Sequence, residues 1–279
     1  MGGPSSRPSW APAGVDLDRP SAARVYDYYL GGFHNFPADR EMAKKAIQMW
    51  PELPLMMQAN RAFLRRAVRF AVGQGVTQFL DIGSGIPTVG NSHEVARLAD
   101  PSSKVVYVDV DPVAVAHSRA ILAGDASTAV VQADLRDPDR ILADASVNRL
   151  LDLDQPIAIL LVAVLHFVAT EDNPLTVIAR LRDAVVPGSL LVISHASQDG
   201  QPELADSHQR LYARTPTPMT MRSQSEISDL FTGFELVPPG VVPIQQWRPE
   251  GRPEDSSDAA GGAKRMVGFA GVGIKGWTR

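Results

Sequence analysis

Gln78-Phe79-Leu80-Asp81-Ile82-Gly83-Ser84-Gly85-Ile86-Pro87-Thr88-Val89-Gly90 is a short apolar run that ends in Asp-x-Gly-x-Gly, and a helical pattern follows from about Asn91. Such a stretch reads as a buried strand turning sharply into a helix, with glycines where a ligand meets backbone closely. The turn's N–H groups and the helix N-terminus are expected to face a carboxylate or phosphate. A Gly-x-Gly turn is weak evidence alone, and its surroundings decide the ligand. A dinucleotide fingerprint has a third glycine three positions after the second. Thr88 stands there, and no Gly-Lys-Ser/Thr phosphate loop occurs. Asp81, just before the first glycine, repels a phosphate and suits an ammonium. Acid beside open backbone fits a zwitterionic amino acid better than a pyrophosphate.

The 279 residues suffice for one large α/β domain with additions or for two small ones. Hydrophobic content of 44% and charged content of 21% are those of an ordinary globular chain. A net charge of −4 and a pI near 5.9 speak against a general nucleic-acid footprint. The absence of cysteine excludes disulfides, thiol nucleophiles and Cys-ligated zinc. No apolar run reaches membrane-spanning length, so the expectation is a cytoplasmic protein without a membrane partner.

Outward from the glycine turn, strands and helices alternate. Strands are expected at 78–82, 105–110, 129–133, 157–164 and 189–195, with helices at 91–98, 112–122, 137–143 and 174–184 between them. The strands are continuous apolar runs, as when both faces of a parallel sheet are covered. Two late strands, 234–242 and 265–274, lack a helix between them and imply an antiparallel end to the sheet. The fold class is therefore α/β, a doubly wound Rossmann-like sheet with its ligand at the strand carboxyl ends. Upstream, residues 1–14 are rich in Gly, Pro and Ser and read as a disordered leader. Residues 15–72 read as an N-terminal helical cap, with helices at about 24–30, 39–50 and 56–72, and residues 73–279 as the ligand-binding domain. The polar stretch 198–222 has the character of a lid or of a plain surface excursion.

Two further strands close on acids. Asp109 ends Tyr107-Val108-Asp109-Val110-Asp111-Pro112, where a carboxylate accepts both hydroxyls of a ribose. Asp111 before Pro112 reads as a helix N-cap. Asp134, in Gln132-Ala133-Asp134-Leu135, is placed to accept a hydrogen from an adenine amino group, and Asp137 before Pro138 reads as another cap. An amino-acid end, a ribose and an adenine on three adjacent strands spell S-adenosylmethionine.

At these residues the chain resembles class I S-adenosylmethionine-dependent methyltransferases. More closely, it is similar to the actinobacterial S-adenosyl methyltransferase family first catalogued as a domain of unknown function. Tyr-Asp-Tyr-Tyr-Leu-Gly-Gly at 26–32 and Leu-Asp-Ile-Gly-Ser-Gly-Ile-Pro-Thr at 80–88 carry most of the likeness, which spans most of residues 16–245. The resemblance implies a seven-stranded methyltransferase sheet and S-adenosylmethionine as cofactor. It implies that Asp81, Gly83 and Gly85 frame the methionine end, that Asp109 holds the ribose, and that Asp134 and Leu135 hold the adenine. Ala163, Val164 and Leu165 are to line the sulfonium region, and Tyr28, Tyr29, Gly31 and Asn35 of the cap to close over the cofactor. The chain departs from the family where a Lys-Asp pair commonly follows the Gly-Gly: it has Phe33-His34, a change that bears on the acceptor if that loop faces it.

Methyl transfer from a sulfonium is a direct displacement, and alignment alone lowers such a barrier by roughly 7–11 kcal/mol. A hydroxyl or amine acceptor also calls for a general base, and His166 and His195, after the fourth and fifth strands, are the catalytic candidates. The bland alternative is a histidine that only bonds backbone. His93 reads as packing or capping and His117 as solvated. No metal site is expected, since each acid has a simpler explanation. The resulting expectation is O- or N-methylation of a small-molecule acceptor, with no nucleic-acid partner. An S-adenosylmethionine-binding protein without methyl transfer is the alternative, and an acceptor-sized cavity under 198–222 would count against it. A nicotinamide oxidoreductase is opposed by Thr88 and Asp81. A nucleic-acid methylase is opposed by Ala-Val-Leu-His at 163–166, where an Asn/Asp-Pro-Pro-aromatic motif often stands.

Overall fold

The computed structural model describes residue 8 and residues 10–87, 90–213, 215–249 and 268–276. Three helices come first: α1 Ala22–Tyr29, α2 Pro37–Met49 and α3 Leu53–Gly73. The alternating part follows as β1 Gln78–Ile82, α4 Ser92–Ala99, β2 Lys104–Asp109, α5 Pro112–Ile121, β3 Thr128–Gln132, α6 Pro138–Leu142, α7 Ala145–Leu150 and β4 Ala158–Val162. The chain continues through α8 Pro174–Asp183, β5 Leu190–Ala196, α9 Pro202–Tyr212 and α10 Gln224–Asp229. It ends with β6 Glu235–Leu236, β7 Val242–Pro243 and β8 Gly268–Ile274. The strand order is β3-β2-β1-β4-β5-β8-β6, with β7 also paired to β8. Strands β1 to β5 are parallel, and every pairing of β8 is antiparallel.

Alternation within each strand builds two cores. Leu80, Val106, Ile159 and Leu191 face a layer containing Val147 of α7, Ile178 of α8 and Ile227 of α10. Phe79, Val105, Leu160 and Val192 face the opposite layer, where α3 lays down Phe63, Leu64, Ala67 and Ala71. α3, expected in the cap, thus covers the sheet for most of its length. The cap core is a separate cluster: Val25 and Tyr29 of α1, Met42 and Ala46 of α2, Trp50, Leu53 and Tyr212 of α9. The polar stretch 198–222 therefore carries a helix, α9, that packs into the cap. Trp10, inside the expected leader, stacks on Phe36 with ring centroids 5.1 Å apart.

Several boundaries differ from the sequence reading, each for a local reason. The strand expected over 234–242 is two short pieces, because Pro238 and Pro239 offer no N–H and Gly240 turns at φ +85°. The strand expected to 164 stops at Val162, because Ala163 takes a left-handed conformation, φ +57°. Residues 265–267 of the last expected strand lie outside the described residues. Among the described residues, no helix is long and apolar enough to cross a membrane.

One buried cation joins cap to sheet. Arg24 of α1 donates from Nε to Asp39 at 2.9 Å and from Nη1 to Asp111 at 3.3 Å, and all three side chains are at least nine-tenths buried. Asp39 caps α2 by accepting from Phe36 N–H, and Asp111 caps α5 by accepting from Val113 and Ala114 N–H. Arg24→Met leaves two buried carboxylates without their cation and is expected to cost about 3–5 kcal/mol in urea unfolding. A loss below about 1 kcal/mol, as for an exposed pair, would remove this network from the account of how cap and sheet hold together.

Candidate functional site

A groove of about 680 Å³ runs across the carboxyl ends of β1 to β4, at the point where the strand order reverses between β1 and β4. Asp81, Gly83, Gly85, Asp109, Asp134, Leu135, Ala163 and Val164 all line it. Gly83 and Gly85 have φ of +75° and +68°, a region where L side chains are strained. A Cβ on Gly83 would also sit 2.2 Å from Val164 Cγ2, so the turn is pressed against the end of β4. At Gly85 a Cβ would meet open space.

The backbone donors of this turn are already used, contrary to expectation. Gly83 and Ser84 N–H both donate to Val108 O, at 2.8 and 3.2 Å, and Gly85 N–H donates to Asp109 Oδ2 at 2.7 Å. At the start of α4, Gly90 and Asn91 N–H donate to Glu94, which closes a capping box. An anionic group in the groove finds no free N–H on Gly83, Ser84 or Gly85. Arg61 of α3 offers a side chain instead: it lines the groove beside Asp81, and its buried Nε has no hydrogen-bond partner. Its Nη2 bonds Gly90 O and Asn91 Oδ1. Sequence reasoning assigned Arg61 nothing.

The strand-end acids sit in different environments. Asp81 is 5% exposed and accepts from Ser92 Oγ at 2.5 Å, and burial pushes its carboxyl up to about 6. Asp109, 8% exposed, accepts from Gly85 and Asp111 N–H, and burial likewise pushes it up to about 6. Each Asp109 oxygen retains a lone pair for a donor from a ligand. Asp134 differs from the expectation of a free acceptor. Arg136 clamps it through Nε at 3.0 Å and Nη2 at 2.6 Å, and this pairing holds its carboxyl below the ordinary value. Leu135 is buried at the groove wall.

A second, smaller cavity of about 80 Å³ lies beside the groove and shares Ala22, Tyr26, Asn60, Ala163 and Phe167 with it. It is roofed by the cap and by α9, and His166, His195 and Tyr29 line it. Tyr29, expected against the cofactor, thus belongs to the smaller cavity alone. Asn60, buried in the apolar stripe of α3, ties the walls together. Its Nδ2 donates to Tyr26 Oη at 2.9 Å, and its Oδ1 accepts from Ser194 Oγ at 2.5 Å. Ser194 Oγ in turn accepts from Ala163 N–H at 2.9 Å, which holds the strained Ala163 in place. A polar residue in step with Phe63, Leu64 and Ala67 was the available clue.

The two candidate bases are not poised as bases. His195 Nδ1–H donates to Ala196 O at 2.6 Å, and its Nε2 accepts from Arg222 Nη1 at 2.9 Å. Burial, with Arg222 adjacent, pushes it down to about 3. His166 Nδ1 accepts from Ala196 N–H at 3.3 Å, which leaves the ring proton on Nε2. Burial and the neighbouring His195 and Arg222 hold His166 well below its ordinary value. His166 is thus a neutral hydrogen-bond donor and His195 a fixed structural element. His93 packs on Tyr107, bonding its hydroxyl from Nδ1 at 2.7 Å. His117 is not solvated but half-buried, its ring 3.7 Å from that of His34. Phe33 is 86% exposed, and neither it nor His34 lines groove or cavity. The departure from the family pattern thus sits away from both, as do Tyr28, Gly31 and Asn35.

Comparisons with known proteins agree with this geometry. A family model described as S-adenosyl methyltransferase matches residues 8–276. A crystal structure from Thermobifida fusca YX, whose protein carries a provisional methyltransferase name, is 41% identical with a TM-score of 0.89, covering 97% of this chain and all of that one. A DUF574 family protein from Streptomyces avermitilis MA-4680 is 38% identical with a TM-score of 0.87, covering 93% of this chain and 99% of that one. The S-adenosylmethionine-dependent methyltransferase SibL, 19% identical with a TM-score of 0.52 over 95% of this chain and 64% of its own, shares the fold. No curated protein matches the chain.

The contact between the glycine turn and β4 separates the two glycines. Gly85→Ala is expected to cost about 1–2 kcal/mol in urea unfolding, the backbone term alone. Gly83→Ala adds overpacking of about 1–3 kcal/mol, which Val164→Ala relieves. Equal losses for both glycines, with no rescue, would contradict the contact.

Proposed function

We propose, from the premise that the chain belongs to the S-adenosyl methyltransferase family, that it methylates oxygen or nitrogen of a small-molecule acceptor held in the cavity beside the groove. Dependence on S-adenosylmethionine comes with the family. The acceptor is our reading, and the observation that carries it is the cavity that adjoins the groove and shares Ala163 and four other lining residues with it. Its walls include His208, Tyr212, Met219 and Met221 from 198–222, as an acceptor chamber requires and a pure sensor does not. No Lys or Arg lines it among the described residues, so a nucleic-acid strand would find no phosphate partner there.

The groove suits S-adenosylmethionine by the chemistry of its donors. Asp81 would take the ammonium and Arg61, with its orphaned Nε, the carboxylate. Asp109 would accept from the ribose hydroxyls, and Leu135 would pack on the adenine. Asp134 would reach the adenine amino group only by sharing its oxygens with Arg136. When bound, the sulfonium supplies an electrophilic methyl group. The chain's part is alignment and exclusion of water: Ala163, at the strained end of β4, lines both spaces, and the cap closes the cavity from above. His166, through Nε2–H, would orient the acceptor. As the acceptor's bond to the methyl carbon forms and the S–CH3 bond breaks, the acceptor's proton would pass to solvent through the groove rather than to His166.

Two titrations test this reading. Asp109→Ala is expected to weaken S-adenosylmethionine binding by about 1.5–3 kcal/mol in calorimetry, the worth of hydrogen bonds to a charged group. Asp81, raised to about 6 by burial, is ionised above that pH and protonated below it. The attraction for the ammonium is therefore present above pH 6 and lost as pH falls. Affinity should drop about tenfold or more between pH 7.5 and 5, about tenfold of it from Asp81. Asp81→Asn should remove that share and leave the part due to Asp109, which titrates in the same range. An intact fold that binds no S-adenosylmethionine at pH 7.5 would overturn the reading.

A further inference from the structure

The cavity beside the groove has an unusual balance of polarity. Among the described residues, no Asp, Glu, Lys or Arg lines it. Its three histidines are all held neutral by burial, His208 pushed down to about 4. Arg222, behind His195, is held by Leu165 O, Val168 O and His195 Nε2 and does not line the cavity. Yet two buried polar atoms here have no well-formed hydrogen bond: Oη of Tyr29, 6% exposed, and Nδ1 of His208, 4% exposed. The Tyr29 hydroxyl faces that of Tyr212 closely enough to interact with it, though not at the geometry of a full hydrogen bond. Unpaired polar atoms at such depth are costly and are rare without a ligand or water to satisfy them.

Much of the remaining lining is aromatic or thioether, with Leu53, Ile244 and small residues between. The His208 ring meets Trp50 edge-on at 6.0 Å and Tyr212 at 5.0 Å, and Phe167 lies 5.8 Å from Tyr212. Met56, Met57, Met219 and Met221 complete the wall, and unbranched thioethers re-pack readily around a flat ring. At about 80 Å³ the space is smaller than the ~150 Å³ apolar cavity that holds benzene, so a ring enters by such re-packing or by extending into the shared mouth. A charged acceptor group would be stranded here without a counter-ion.

We propose that this cavity takes an uncharged, hydroxylated aromatic molecule as acceptor, its ring among Trp50, Phe167, Tyr212 and the methionines and a hydroxyl on Tyr29 Oη and His208 Nδ1. The assignment rests on the methyltransferase reading for its role as acceptor and on the cavity alone for its binding chemistry.

The test titrates the full chain by ligand-observed NMR with four single-ring probes at pH 7.5: 4-methylphenol, toluene, benzoate and benzylamine. The phenol is expected to bind about tenfold tighter than benzoate or benzylamine, because neither charge finds a partner. It should also exceed toluene by roughly threefold to tenfold, the worth of one hydrogen bond. Tyr29→Phe and His208→Phe should each reduce the phenol's advantage over toluene while leaving toluene unchanged. Tyr29→Phe removes one hydroxyl that lacks a full hydrogen bond and keeps the ring, so it is the milder of the two variants. Benzoate or benzylamine binding as tightly as the phenol, or an undiminished phenol-to-toluene ratio in both variants, would overturn the proposal. S-adenosylmethionine is titrated separately on the same preparation. Its failure to bind, with phenol selectivity intact, sinks the methyltransferase reading alone, and the converse result sinks the substrate class alone.

Discussion

The Asp109 carboxylate is the point from which the architecture of the site extends. One oxygen accepts Gly85 N–H and so closes the glycine turn, and the other accepts Asp111 N–H and so sets the turn into α5. Asp111, held there, caps α5 and receives Arg24, and Arg24 reaches on to Asp39 at the start of α2. Two turns, two helix starts and the seat of the cap thus follow from a few charge-assisted bonds. Buried carboxylates are tolerated only because each is met by backbone N–H groups or by a guanidinium. Removing one member leaves the others unpaired, so the network specifies a single position for the cap.

Groove and cavity divide the work by polarity. The groove has a buried acid and an arginine with an unpartnered Nε at one end, a hydrogen-bonded acid in the middle, and an apolar wall beyond. That sequence of environments is complementary to a zwitterion joined to a nucleoside. The cavity has no charged lining residue among those described and keeps its histidines neutral. Ala163 stands where the two meet, held in a left-handed conformation by Ser194, which is held in turn by Asn60. Strain at that junction is sustained by a buried relay that runs from the cap to the fifth strand.

Much of this was legible along the chain. Asp81, Asp109 and Asp134 each sit within two residues of a strand's end, and a parallel strand announces itself by a continuous apolar run. Asp111 declared its capping role because the residues that need it are its immediate neighbours. Other features were hidden because their causes lie far off in sequence. Arg61 is a polar residue in a helix until α3 settles beside β1, and Asn60 gains meaning only from Ser194, 134 residues away. His195 looked like a base by position, yet Arg222 occupies the nitrogen a base would need. The split of 234–242 was visible in Pro238-Pro239-Gly240 and went unweighed against its apolar flanks.

The sequence by itself determined the sheet, the strand-end acids, the glycine turn and, through its resemblance, the family and its cofactor. Those depend on periodicity and on interactions between near neighbours, which a one-dimensional pattern carries. Only the tertiary structure decided that the N–H groups of Gly83, Ser84 and Gly85 are already spent, that an arginine from the first sheet-covering helix faces Asp81, and that the pocket histidines are neutral and mostly engaged. Hydrogen-bond capacity and protonation belong to a site's whole surroundings, because burial and every neighbouring charge act on them together.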